Sequence, residues 1–254
     1  MSRLVITLLI VLILIYLGLC AALFIFQRSM IYFPQPRLTG IGTTIVELPI
    51  EAGSVLVSAR QHEGPKALIY FGGNAEDVSA NMPSFSEAFP DRAIYLLQYR
   101  GYAGSSGKPS EAALVADGLA LFDEVSTRHQ DIAIIGRSLG SGIAVHVASL
   151  RTVQRLVLVS PYDSLQEIAA KHYPYFPVRW LLIDKYESWR FAPDVKAPTL
   201  IIAAENDELI PRASSELLHS RFTSGVASFR VIAGANHNTI SLSPEYLPLL
   251  KETL

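Results

Sequence analysis

The chain has 254 residues, and its 21 basic and 23 acidic side chains give a net charge of −2. Charged residues make up 17% of the chain and form no basic stripe, which argues against nucleic-acid binding. A single cysteine, Cys20, excludes an intrachain disulfide and a cysteine-based zinc site.

The first predicted element is a membrane-spanning helix at 4–26. This stretch has no charged side chain, and only Thr7 and Gly18 fall outside the hydrophobic set. At about 1.5 Å per residue it can cross a hydrocarbon core of roughly 30 Å. A secretory signal peptide has a shorter apolar region of about 7–15 residues, so we interpret the run as an uncleaved, single-pass anchor in a lipid bilayer. Arg3 precedes the run and Arg28 follows it, so the flanking charges select neither orientation.

Residues 27–254 are predicted to form one domain, because they contain neither repeats nor a long linker. Short apolar runs alternate with helical patterns along this region. The predicted strands are 44–50, 54–60, 67–71, 93–99, 132–136, 155–160, 199–204 and 228–233. The predicted helices are 75–89, 111–128, 139–150, 212–222 and 244–253.

Several of the apolar runs show no alternation of polar and apolar residues, notably 67–71, 132–135 and 156–159. Strands buried on both faces have this pattern, and they occur where helices cover both sides of a parallel sheet. The sequence therefore predicts an α/β fold with a mostly parallel sheet flanked by helices. The first two runs are predicted to form an antiparallel hairpin at one edge.

A G-x-S-x-G motif, GRSLG at 136–140, follows the predicted strand at 132–136. In a strand–turn–helix context this motif raises a serine hydroxyl, here that of Ser138, above the sheet as a nucleophile. The N–H of Leu139 then lies at a helix start, where it can stabilise an oxyanion. The pentapeptide alone is a weak signal, but its position between a buried strand and a small-residue helix strengthens it.

A serine nucleophile needs a base, and of six histidines only His237 follows the last predicted strand. Asp207 follows the strand at 199–204, which gives the order serine, acid, histidine. Its carboxylate would orient the imidazole and stabilise the imidazolium. Glu205 and Glu208 are alternative acids in the same loop, where an acid is often just a helix cap.

The loop after 67–71 begins with Gly72 and Gly73, which allow backbone to approach a ligand closely. In this arrangement the second oxyanion donor comes from this loop, so we assign it to the N–H of Asn74. A plain tight turn is the alternative.

Taken together, these motifs resemble the α/β-hydrolases, and more narrowly the branch with a single amino-terminal anchor. The resemblance covers nearly the whole chain in the right order. The matching pieces are the anchor with RSMIYFP at 28–34, GNA at 73–75, YRGYAGS at 99–105, PSE at 109–111, the serine motif, DELIP at 207–211 and His237. It implies hydrolysis of esters or thioesters, with lipid acyl chains common among relatives. Relatives usually have HGNAG in the oxyanion loop, whereas here Gly72 replaces the histidine and Glu76 the last glycine.

The segment 164–193 is predicted to cap the site, and it contains seven aromatic residues that include both tryptophans. We expect Tyr175 and Trp180 to line an apolar acyl pocket. Tyr102 and Asp163 are further candidates for substrate binding. A cap that packs only on its own core is the alternative.

The sequence therefore predicts a membrane-anchored serine hydrolase that needs neither a metal nor another cofactor and binds no nucleic acid. Ser138 is the predicted nucleophile, His237 the base and Asp207 the orienting acid. A peptidase or amidase with the same residues, and a non-catalytic hydrolase fold used for interaction, are the two alternative functions.

Overall fold

The computed structural model describes residues 2–37, 44–51 and 53–254, which are organised around an eight-stranded sheet. The strands are β1 (Thr44–Ile50), β2 (Gly53–Arg60), β3 (Lys66–Phe71), β4 (Ala93–Leu97), β5 (Asp131–Arg137), β6 (Arg155–Val159), β7 (Thr199–Ala204) and β8 (Ala227–Ile232). Their order is β1-β2-β4-β3-β5-β6-β7-β8. The β1–β2 and β2–β4 pairs are antiparallel and the other pairs are parallel, which confirms the predicted α/β class and its edge hairpin.

Helices connect most of the strands. They are α1 (Arg3–Ile31), α2 (Met82–Ala88), α3 (Glu111–Ser126), α4 (Leu139–Leu150), α5 (Leu165–His172), α6 (Val178–Leu181), α7 (Arg212–Arg221) and α8 (Tyr246–Thr253). The predicted helix at 75–89 is instead a short 3₁₀ turn at Val78–Asn81 followed by α2. Pro83 favours the first turn of α2, because its ring presets the helical φ and its missing N–H has no helical partner to lose there.

Both faces of the sheet are buried, as β3 shows. Leu68 and Tyr70 belong to an apolar core that also contains side chains of α2 and α8. Ile69 and Phe71 belong to a second core that contains side chains of α3 and α4. Successive strand residues point to opposite faces, so a strand covered on both sides must be apolar at every position. This accounts for the absence of alternation in the sequence.

Helix α1 extends beyond the predicted 4–26 span to Ile31. It ends there because Pro34 disfavours helical backbone at the preceding residue, while the Tyr32 N–H still donates to the Arg28 carbonyl at 2.9 Å. Within the described part of the chain, α1 is the one helix long and apolar enough to cross a bilayer. Most of its side chains are exposed.

The segment between β6 and β7, which we call the cap (164–193), contains α5, α6 and a 3₁₀ turn at Ser188–Arg190. Its α6 packs against α1. Because β5, β6 and β7 run parallel, the loops that follow their carboxyl ends meet at one edge of the sheet. The cap begins in the loop after β6, so it lies at the same edge as the loops that contain the candidate site residues.

Candidate active site

The turn between β5 and α4 holds Ser138 in a strained conformation, with φ 49° and ψ −117°. A non-glycine residue in such a region costs about 1–3 kcal/mol and persists only where surrounding structure enforces it. The flanking glycines make the turn possible. A Cβ on Gly136 would lie 2.5 Å from the Cβ of Ala144, and one on Gly140 would overlap the Phe71 carbonyl. This close packing explains the residue pattern of the G-x-S-x-G motif.

Three predicted residues form a continuous hydrogen-bonded chain. Ser138 Oγ lies 2.9 Å from His237 Nε2, and His237 Nδ1 lies 2.8 and 3.0 Å from the two carboxylate oxygens of Asp207. An ionised carboxylate only accepts hydrogen bonds, so the imidazole donates from Nδ1. In the neutral ring, Nε2 is then the acceptor for the serine hydroxyl. This is the arrangement in which an imidazole can take the serine proton.

The environment of Asp207 favours its ionised form. Burial raises the pKa of this carboxyl, but the hydrogen bonds from His237 and from the Ile210 N–H outweigh burial and lower the pKa below its usual value. The Ile210 bond measures 2.7 Å. The two alternative acids are placed differently, since Glu205 accepts the Gly234 N–H at 2.8 Å and Glu208 is exposed. Of the three carboxylates, Asp207 is the one on the imidazole.

The candidate oxyanion loop follows β3 and is held through the side chain of Asn74. Its Oδ1 accepts the Tyr102 hydroxyl at 2.7 Å and the Phe33 N–H at 3.0 Å, and its Nδ2 donates to the Ile31 carbonyl. Burial raises the pKa of Tyr102 to about 12, so its hydroxyl keeps the proton that it donates. Asn74 and Leu139 line the cavity that contains the candidate nucleophile. Tyr102 lies behind the loop and positions Asn74, whereas a substrate contact was expected from the sequence.

Glu76, at the position where the resemblance to α/β-hydrolases predicts glycine, holds the candidate oxyanion loop against the protein interior. Its carboxylate accepts the Gly73 N–H at 2.6 Å, the Tyr70 hydroxyl at 2.8 Å and the Asn81 side-chain amide at 2.7 Å. It also pairs with Arg137 at 3.2 Å, and both side chains are largely buried. The carboxylate that stands in place of the expected glycine thus accepts hydrogen bonds that a glycine could not form.

Arg137 extends this network to the other side of the site. It is the residue immediately before Ser138, and its second guanidinium nitrogen donates to the His237 carbonyl at 3.2 Å. The pair of Glu76 and Arg137 therefore connects the oxyanion loop, the serine turn and the histidine loop. Sequence reasoning missed both roles, although two opposite charges beside glycine-rich loops are a detectable signal.

Replacing Glu76 with alanine is expected to lower the free energy of unfolding by about 3–5 kcal/mol, because Arg137 would remain buried without its charge partner. Glu76→Gln keeps an acceptor for the Gly73 N–H and should lose less. Urea denaturation measures both variants, with Glu87→Gln on the exposed face of α2 as control. Unchanged stability of Glu76→Ala would show that the network does not hold the loop.

A cavity of about 480 Å³ contains Ser138 and His237 in its lining. Most of its wall is apolar and comes from two sources, the cap and the carboxyl-terminal part of α1. Examples are Leu23, Met30 and Ile31 from α1 and Ile168, Phe176 and Leu181 from the cap. The contribution of α1 was not predicted, because an apolar run that suits a bilayer carries no visible sign of a second contact.

The remaining predicted substrate residues lie outside this cavity. Tyr175 and Trp180 are 85% and 88% exposed, so their expected position in the pocket is wrong. In the single turn of α6, Val178 and Leu181 face the cavity, which turns Trp180 outward. Asp163 is buried and pairs with Arg221 at 3.1 Å, an ion pair that joins the start of the cap region to α7.

Within residues 2–37, 44–51 and 53–254, no group of three or more His, Cys, Asp or Glu side chains is arranged to hold a metal ion.

Comparison with known proteins identifies relatives of the chain, although no family model matches it. An uncharacterised protein of Mycobacterium tuberculosis is 33% identical over 228 residues, which cover 84% of this chain and 80% of that protein. The α/β hydrolase domain-containing protein aho-3 of Caenorhabditis elegans is 32% identical over 72% of this chain. Lysophosphatidylserine lipase ABHD12 of Macaca fascicularis is 31% identical over 63% of this chain. The matches span 56% of aho-3 and 48% of ABHD12.

Among solved structures, esterase Pf2001 of Pyrococcus furiosus superposes with a TM-score of 0.66 at 18% identity, covering 87% of this chain and 95% of that one. At this identity the similarity shows the fold alone. Together with the sequence relatives, it shows that the chain belongs to the α/β-hydrolase superfamily. The fold and these relatives support a hydrolase.

Proposed function

We propose that the protein is a membrane-anchored serine hydrolase that cleaves carboxylic esters or thioesters of lipid acyl chains. One observation carries this proposal: the hydrogen-bonded series of Ser138, His237 and Asp207, whose first two members line an apolar cavity. Such a series activates a serine that is otherwise a poor nucleophile.

In the proposed reaction, Ser138 Oγ attacks the substrate carbonyl carbon while its proton passes to His237 Nε2. The N–H groups of Asn74 and Leu139 would donate to the oxyanion of the tetrahedral intermediate. The intermediate expels the alcohol or thiol, which takes the proton from His237 and leaves the acyl group on Ser138. Water, deprotonated by the same imidazole, then releases the carboxylic acid and restores the serine.

The substrate class is inferred from the cavity and the relatives. An apolar wall from α1 and the cap suits an acyl chain, and removing that chain from water favours binding. A lipase on lysophosphatidylserine among the relatives agrees with a lipid ester. An anchor in the bilayer, for which α1 has the length and composition, would concentrate such a substrate near the site.

The first test of this proposal is labelling with a fluorophosphonate probe, which reacts with activated serines. We expect the parent protein to be labelled and the Ser138→Ala and His237→Ala variants to remain unlabelled, because both remove part of the activated nucleophile. A folded parent that resists the probe would contradict catalysis and favour the non-catalytic interaction role.

Substrate preference is tested with matched p-nitrophenyl esters, acyl thioesters and aminoacyl amides. We expect esters and thioesters to be cleaved and amides to be cleaved far more slowly. Comparable rates on peptidyl amides would replace the esterase assignment with a peptidase or amidase that uses the same residues.

A further inference from the structure

One face of α1 is fixed to the catalytic domain by a regular stripe of side chains. The stripe consists of Tyr16, Cys20, Leu23, Gln27 and Ile31, which are three or four residues apart and therefore share one side of the helix. Cys20 and Gln27 are buried, whereas neighbouring positions on the other faces are exposed. The helix is thus a packed part of the domain over its second half.

Polar contacts secure this face at its two ends. The Tyr16 hydroxyl donates to the Tyr175 carbonyl at 3.0 Å, and its ring stacks on Phe176. Gln27 Nε2 donates to the Leu181 carbonyl at 3.1 Å, and its Oε1 accepts the Ile183 N–H at 2.7 Å. The hydrogen bonds join α1 to the cap backbone and the ring contact joins it to a cap side chain, so the cap and the second half of α1 are expected to move together.

A third set of contacts lies beyond the apolar run. Arg28 pairs with buried Asp184 of the cap at 3.0 Å. The Tyr32 hydroxyl lies 3.1 Å from the same carboxylate and 2.9 Å from the Tyr186 hydroxyl. Because Arg28 and Tyr32 come from α1 and its C-cap, the anchor cannot swing freely about its last turn.

The docked length leaves too little free helix to cross a bilayer alone. Every described residue from 3 to 15 is exposed, and Tyr16 is the first in chain order with a hydrogen bond to the cap. Thirteen residues give about 20 Å of helix, roughly 10 Å less than the hydrocarbon core. If α1 spans the membrane, the cap must enter the nearest leaflet to make up the difference.

The outer surface of the cap suits that position. Tyr175, Trp180 and Ile183 are 85%, 88% and 52% exposed and lie close in sequence to the cap residues that contact α1. Tyrosine and tryptophan favour the membrane–water interface, where an apolar ring and a polar group are both accommodated. The neighbouring Arg179 is exposed and pairs with Glu167 of α5 at 2.8 Å, and its long side chain would place this ion pair among the headgroups.

We propose that the cap is immersed in the leaflet nearest the catalytic domain, with Tyr175, Trp180 and Ile183 in contact with lipid and α1 forming one wall of the acyl pocket. A single-chain or two-chain membrane lipid would then reach Ser138 sideways from the bilayer, between α1 and the cap. This inference rests on the proposed membrane anchoring and, for the route of the substrate, on the proposed hydrolase function. The cavity lining, which combines Leu23 and Met30 with cap residues, is the physical basis of the shared wall.

Immersion is tested without any measurement of hydrolysis. The chain has two tryptophans, so the full-length Trp189→Phe variant reports Trp180 alone. In phosphatidylcholine vesicles whose acyl chains are brominated at carbons 6 and 7, we expect Trp180 to lose about half of its emission, since immersed groups of this kind lie about 5–10 Å deep. Emission that is insensitive to brominated lipid but quenched by aqueous iodide would overturn the proposal, as would protein that fails to float with the vesicles.

The role of α1 as a pocket wall is tested by placing a larger side chain on it, which fills part of the pocket. Leu23→Trp should lower the ratio of kcat/KM for a 16-carbon ester to that for a 4-carbon ester by about tenfold, because the added ring occupies pocket volume. Ile25→Trp, two residues on and 69% exposed, places the same ring in lipid and should leave the ratio unchanged. A parental ratio in Leu23→Trp would overturn α1 as a pocket wall. If the parent cleaves neither ester, the proposed hydrolase function fails, while the quenching result still decides immersion.

Discussion

Replacing Ser138 with alanine is expected to reduce kcat/KM for a p-nitrophenyl ester by about 10⁴- to 10⁶-fold, because the variant lacks the proposed nucleophile, which would form the acyl-enzyme. The strained backbone at this position places Oγ at 2.9 Å from His237 Nε2, and no neighbouring hydroxyl is held to the same imidazole among the described contacts. Residual rate would come from the oxyanion donors and from substrate binding alone.

Two further variants separate this effect from general damage. His237→Ala should lose nearly as much rate, and the double variant should be little worse than either single one, because the pair acts as a unit. Ser149→Ala, later in the same helix α4, should keep the parental rate. A Ser138→Ala protein that retains a tenth of parental kcat/KM would show that the ester is cleaved by other means.

Replacing Asp207 with asparagine is expected to lower kcat by about 10⁴-fold while the fold is retained. The carboxylate holds the proton of His237 on Nδ1, and an amide that donates there would favour the ring with its proton on Nε2. That ring cannot accept the serine proton. Glu205→Gln and Glu208→Gln should retain the parental kcat, and a larger loss in either would move the orienting acid to that residue.

The same substitution has a second, pH-dependent effect. The folded-state pKa of Asp207 lies below its usual value because hydrogen bonds from His237 and Ile210 outweigh burial. The carboxylate therefore stabilises the folded protein at neutral pH, and this contribution is lost as pH falls through the folded-state pKa. The difference in unfolding free energy between parent and Asp207→Asn should shrink in acid, and a constant difference would contradict this account.

The strands could be predicted because their signal is local. Apolar runs without alternation mark burial on both faces, and all eight runs appear as strands with ends that differ by at most two residues. The signal of the serine motif is also local. Gly136 and Gly140 are required because a Cβ at either position would collide with atoms of the same strand–turn–helix unit or of the neighbouring strand β3. His237 and Asp207 could then be predicted to lie at the same edge of the sheet, because each follows a predicted strand in the order serine, acid, histidine.

The parts that could not be predicted depend on contacts between distant segments. Trp180 and Leu181 are adjacent and both apolar, so only the docked position of α6 decides which one faces the cavity. Asp163 has its partner, Arg221, 58 residues away. Glu76 was identified from the sequence only as a departure from the expected glycine, whereas in the structure it accepts four hydrogen bonds that no sequence pattern predicts.

The docked stripe of α1 divides one hydrophobic helix into two classes of position. In the proposed bilayer, one large apolar residue could replace another at outward sites such as Ile13 or Ile25 with little effect, because lipid accommodates either shape. At Cys20, Leu23 and Gln27 the same exchange changes a packed surface, so substitutions there should be rarer in natural variants and more harmful. An apolar helix whose residues are usually regarded as exchangeable for one another would then show, along one side, the substitution pattern of a protein core.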